Sequence, residues 1–178
     1  MIKFTAFLRA INVGGRVVKM EVLRKQFEAL GFDNVSTFIA SGNVIFEAQD
    51  GTPDALESRI EERLQKALGY RVATFLRSGP EVAKLSSLCT KYALEIEAGA
   101  VLYVIFARRA PRPDGKRQLL ALNNEIDELA VYGRDILWLC RRYLGESKLE
   151  GAALEKTCAL EATVRNANTV TRIAAKYL

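Results

Sequence analysis

The order in which two hydrophobic periods alternate over the first 77 residues constrains this chain more than any other feature. Ile2, Phe4, Ala6 and Leu8 alternate with Lys3, Thr5, Phe7 and Arg9, a period of two that predicts a half-buried strand. Met20, Leu23, Phe27 and Leu30 then recur at helical spacing, with Gly31 as a stop signal. "VSTFIA" and "VIFEA" are short β-rich runs separated by Ser41, Gly42 and Asn43, which reads as a tight hairpin. Leu56, Ile60, Leu64 and Leu68 lie four apart on one helix face that ends at Gly69. A strand in "RVATFLR", residues 71–77, completes the set.

Strand, helix, strand, strand, helix, strand is the split βαβ, or ferredoxin-like, order. After Ser78-Gly79-Pro80 a helix opens, with Val82, Leu85, Cys89 and Tyr92 as its apolar stripe. "AVLYVIFA", residues 100–107, lacks alternation, as expected of a covered or central strand. A helix near 115–124 follows, then two strands about Gly133-Arg134, a short helix near 148–157 and a last helix from about Asn168. The expected fold is α+β with two related subdomains. Residues 1–78 form a ferredoxin-like βαββαβ unit, and residues 79–178 a variant βαββ unit with extra helices.

Composition narrows the chemistry. The 178 residues contain no histidine, which excludes His-based catalysis and the usual Cys/His zinc sites. Cys89, Cys140 and Cys158 are odd in number and form no CxxC pair, which argues against a disulfide framework. No metal site is expected and no cofactor is indicated. The net charge of +5 permits an anionic partner without demanding one. The longest apolar run, 100–107, is far short of the ~20 residues of a membrane span. Arg9 interrupts the apolar stretch near the start, so no secretory signal is expected. A cytoplasmic protein with no membrane partner follows.

The polar loops carry the functional signal. In the expected topology the end of the first strand, "NVGG", shares a sheet edge with the hairpin "SGN". Gly14 and Gly15 admit positive φ, so successive amides could form an anion-binding nest beside a helix N-terminus. Arg9, Arg16 and Lys19 would supply charge, and Asn12, Ser41 and Asn43 orientation. The alternative is a purely structural turn. Neither a P-loop nor a GxGxxG fingerprint is present. In "TVRNANTVTR", residues 163–172, Asn166 or Asn168 is a candidate N-cap of the last helix. The other reading is an oxyanion site formed by that helix start with Arg165.

"FLRAINVGG", "FIASGNVIF", "ESKLEG" and "TVRNANTVTRI", in this order and spacing, resemble the uncharacterised bacterial family catalogued as domain of unknown function 1697. Members open with a stretch like LLRGINVGG, continue with QSGNVVF and close with TTRNWNTVTKL. The resemblance spans nearly the whole chain and implies a cytosolic bacterial protein with two α+β subdomains. It implies no activity. Arg9, Asn12, Gly14, Gly15, Ser41, Gly42, Asn43, Arg165, Asn166, Asn168 and Thr169 match the pattern. Ala10 departs from its Gly, Ala40 from its Gln and Ala167 from its Trp.

Three classes of function stand at this point. The first is a module binding a small anionic ligand, phosphorylated or nucleotide-like. Nucleic acid is its weaker form, because the strand "NVIFE" lacks the aromatic-basic pattern of ferredoxin-like RNA binders. The second is an enzyme whose general base is a carboxylate, lysine or tyrosine. The third is a structural or interaction protein whose polar loops join the two subdomains.

Overall fold

The computed structural model describes residues 1–49, 51–142, 146–147, 149 and 160–178. The chain divides into two compact units, one of residues 1–82 with 177–178 and one of residues 83–176. The helix expected near 148–157 lies almost wholly outside the described residues.

In the first unit β1 (Ile2–Leu8), α1 (Met20–Glu28), β2 (Asp33–Thr37), β3 (Asn43–Ala48), α2 (Pro53–Leu68) and β4 (Thr74–Ser78) follow in order. The strands form one antiparallel sheet in the order β2-β3-β1-β4, as a ferredoxin-like unit requires. Phe4, Ala6 and Leu8 of β1 join Val44, Phe46 and Leu76 on one face, against Leu23 and Phe27 of α1 and Leu56, Ile60 and Leu64 of α2. Each fully buried aliphatic or aromatic side chain contributes about 1.5–3 kcal/mol. Thr52 opens α2, its hydroxyl accepting from Ala55 N, and Gly69 caps its end.

Two details differ from the sequence expectation. β1 is not half-buried, because Thr5 and Phe7 are as inaccessible as their neighbours, as are Ile45, Phe75 and Arg77 on the same face. The hairpin is also looser than two residues. β2 ends at Thr37 and β3 starts at Asn43, with Phe38 N donating to Asn43 O (3.0 Å) to close the connection.

The outer edge of β4 is sealed by carboxylates. Glu61 accepts from Thr74 N (2.9 Å), Glu57 from Leu76 N (2.8 Å) and Glu81 from Ser78 N (2.8 Å). These amides alternate along β4 and face away from β1, so one glutamate satisfies each edge donor that the sheet leaves unpaired. Glu57 and Glu61 stand one turn apart on α2, which matches the two-residue repeat of the strand.

α3 (Gly79–Ala93) leads into the second unit, where β5 (Val101–Ala107), α4 (Pro113–Leu120), β6 (Asp127–Tyr132), β7 (Asp135–Cys140), β8 (Ala162–Asn166) and α5 (Ala167–Tyr177) follow. Its sheet runs β6-β7-β5-β8, the same permutation as the first. β8 was not expected. "ATVRN" pairs with β5 from Tyr103↔Asn166 to Ala107↔Ala162, so Arg165, expected beside the helix start, lies within a strand. The repetition extends to one side chain. Arg77 and Arg165 each stand one residue before the end of the fourth strand, are buried, and donate to the preceding carbonyl, Leu76 O and Val164 O, both at 2.8 Å.

Candidate functional site

The expected approach of "NVGG" to "SGN" is present. Leu8 N donates to Gly42 O (2.8 Å), and Asn12 Nδ2 donates to Ala40 O (2.8 Å). The same Nδ2 reaches Val18 O at 3.2 Å, while Asn12 Oδ1 accepts from Val18 N at 2.6 Å. Asn12 therefore clamps both ends of the 12–18 loop and ties it to the hairpin loop. Within that loop Arg16 N donates to Val13 O, with Gly14 and Gly15 at φ +61° and +81°. Both central residues of this turn need positive φ, which glycine takes without strain.

The glycine pair is exposed, and a Cβ on either would meet nothing within 4 Å. Gly42 contrasts with them: a Cβ there would lie 2.9 Å from Ile11 Cβ and Cγ1 and 3.2 Å from Leu8 Cβ. Gly42 thus fits the loop against the core, whereas Gly14 and Gly15 present open backbone.

The remaining predicted residues divide by burial. Arg16 is exposed, its guanidinium 4.2 Å from the centroid of the Tyr70 ring, a geometry suited to cation–π attraction. Arg9 is partly exposed, and its N donates to Ala73 O (2.9 Å). Lys19 precedes α1 and makes no side-chain cap bond. Between Met1 and Met20 every charged side chain is basic: Lys3, Arg9, Arg16 and Lys19. Asn43 is fully buried, its Nδ2 donating to Phe38 O (2.9 Å) and Ser41 Oγ (3.0 Å). It shapes the loop from beneath. Ser41 remains partly exposed above it.

Backbone strain concentrates in the same two loops. Four non-glycine residues have positive φ among the described residues, and three of them lie here: Ala10 (+59°), Asn12 (+57°) and Ile39 (+50°). For a β-branched residue such as Ile39 this conformation is an outlier. It also gives the reason for the glycine that the resemblance leads one to expect at position 10, whose backbone is left-handed. Val13, Val17 and Ile39 expose aliphatic side chains on these loops.

Arg165 does not join Asn166 and Asn168. Strand alternation turns Arg165 and Thr163 to the buried face of β8 and Asn166 to the other. Arg165 Nη1 donates to Thr163 Oγ1 (3.0 Å) and Val164 O, and desolvation lowers its pKa to about 10. Asn166 Oδ1 accepts from Asn168 N (2.8 Å), fixing the start of α5. Beside it lies a pocket of about 320 Å³ that the sequence did not reveal, with Cys89, Leu102 and Ala167 in its wall. A shallower groove of about 420 Å³ runs between Met20, Arg24 and Ser36 in the first unit. Among the described residues no three Cys, Asp or Glu side chains gather as metal ligands would, and no helix is long and apolar enough to cross a membrane.

The family model described as "Protein of unknown function (DUF1697)" matches residues 1–137. No curated protein matches the chain. Among solved structures, the conserved bacterial protein SP0830 from Streptococcus pneumoniae is similar, with a TM-score of 0.66 and 22% sequence identity. The match covers 98% of this chain and 97% of that one, a likeness of fold.

Proposed function

Because the chain belongs to the DUF1697 family, whose description names no activity, we propose from its own residues that it binds a small anionic ligand, phosphorylated or nucleotide-like, at the joined loops 9–19 and 39–42. The observation that carries this reading is the clustering of strained non-glycine backbone at Ala10, Asn12 and Ile39. Each such residue costs on the order of 1–3 kcal/mol, and strain of this kind gathers where a ligand requires a fixed geometry.

Charge and donors support the same ligand class. No protein acceptor engages the amides of Gly14 and Gly15 among the described residues. Arg9, Arg16 and Lys19 bring cations to a stretch without acids. Asn12 and Asn43 act beneath as positioning residues. The ligand is taken as small because β1 and β3, the central strands on which ferredoxin-like RNA binders stack bases, are buried on both faces.

A second reading, in which these polar groups only hold loops together, is favoured by the three backbone contacts of Asn12. Thermal unfolding at low salt with inorganic phosphate, pyrophosphate and nucleoside monophosphates separates the two. At 100 times its dissociation constant a ligand adds about 2.7 kcal/mol, a shift of roughly 5–10 °C for a chain of this size. Binding predicts such a shift in wild type and its loss in Arg9→Ala. If no compound shifts the wild-type midpoint while Asn12→Ala melts early, the loops are structural.

A further inference from the structure

The pocket in the second unit is built differently from the loops, and its chemistry selects a different molecule. Ile96, Val101 and Leu102 give it aliphatic wall, and Asn166, Asn168 and Thr171 bring polar groups from the β8–α5 junction. No Lys, Arg, Asp or Glu lines it. Its volume, about 320 Å³, falls at the lower end of ligand pockets. At ~30 Å³ per water-sized group it holds about ten such groups.

The polar side is only partly engaged. Asn166 Oδ1 accepts from Asn168 N, so the oxygen is fixed and the Asn166 NH₂ is the end left over. That nitrogen and the Asn168 carboxamide have no hydrogen-bond partner among the described residues. Thr171 Oγ1 donates to Asn168 O (3.1 Å) and Thr90 Oγ1 to Ser86 O (3.0 Å), so both hydroxyls can only accept from a ligand.

We propose that this pocket binds a small uncharged ring compound bearing an amide-like edge, its ring against Ile96, Val101 and Leu102 and its polar edge on Asn166 and Asn168. An amide edge offers the acceptor that two spare carboxamides call for and the donor that the threonine hydroxyls accept. A charged ligand is disfavoured because the wall holds no counter-charge, and burying an unpaired ion is costly. Arg165 does not supply one, since its side chain is not part of the wall. Cys89 keeps the wall neutral as well: burial raises its thiol to about 11.

The test is titration of the full chain with benzamide, its charged isostere benzoate and the apolar ring toluene, followed by calorimetry and amide NMR shifts. Benzamide is expected to bind saturably, moving the amides of Leu102 and Asn168, with benzoate at least tenfold weaker. Asn168 is exposed on a helix where alanine is well tolerated, so Asn168→Ala keeps the fold. It should weaken benzamide about 3- to 10-fold, the worth of one hydrogen bond, and leave toluene unchanged. Ala167→Trp fills the space and should abolish binding of all three. No benzamide binding, benzoate equal to or tighter than benzamide, or benzamide affinity untouched by both substitutions would overturn the proposal.

Discussion

Gly42→Ala separates the two kinds of glycine in the joined loops. The added methyl would sit 2.9 Å from two atoms of Ile11 and 3.2 Å from Leu8 Cβ, distances that force neighbours to move. Ile11 and Leu8 are core residues, so the movement spreads into packed structure at a cost of about 1–3 kcal/mol. A left-handed backbone at φ +76° adds about 1–2 kcal/mol for an L-residue. Lower entropy of the unfolded alanine chain returns about 0.5–1 kcal/mol. The net loss is about 1–4.5 kcal/mol, or roughly 2–18 °C in Tm for a domain of this size. Gly15→Ala carries only the backbone cost, about 1 kcal/mol after the same offset. Urea unfolding followed by circular dichroism measures both, with the slope m confirming that the unfolded state is unchanged. Equal losses in the two variants would refute the assignment of Gly42 to packing and Gly14-Gly15 to open surface.

Three further outcomes follow from the same geometry. Ala10→Gly should stabilise the chain by about 0.5–1 kcal/mol in urea unfolding, because it removes left-handed strain at φ +59°. Glu57→Ala should cost about 2–4 kcal/mol by the same assay, because Leu76 N is left buried without an acceptor and the space of one methylene and the carboxylate is emptied, whereas Glu57→Gln should cost about 1 kcal/mol. Alkylation of Cys89, followed by peptide mapping, should keep rising beyond pH 9 toward an apparent pKa near 11. With the folded thiol raised above its unfolded value, its contribution to stability is complete below pH 9. It is lost between about 9 and 11, because the unfolded state releases its proton first.

What the sequence made legible was local. The stripes of α1 and α2 repeat every three or four residues, and Gly69 marks the end of α2, so the helices could be read without knowledge of their partners. The glycine loops were legible for a related reason, since chain direction in a βαββαβ unit fixes which loops share an edge. β8 was hidden because Asn166 read as a helix cap and Arg165 as its neighbour at the helix start, and only pairing with β5 makes this stretch a strand. Burial of Arg165 was hidden with it. The role of Asn12 could not be read either, because the carboxamide suited to a ligand matches Val18 and Ala40 backbone equally well. The pocket beside Ala167 depends on side chains from α3, β5 and α5, far apart in sequence and joined only by the fold.

Amide NMR of the whole chain during titration with pyrophosphate at low salt tests the central claim most directly. Binding at the joined loops predicts that the Gly14 and Gly15 resonances move saturably, and that added salt reverses the shift. If both resonances stay fixed while pyrophosphate moves others, or moves nothing, the loops are a clamped corner of the sheet and not a binding site.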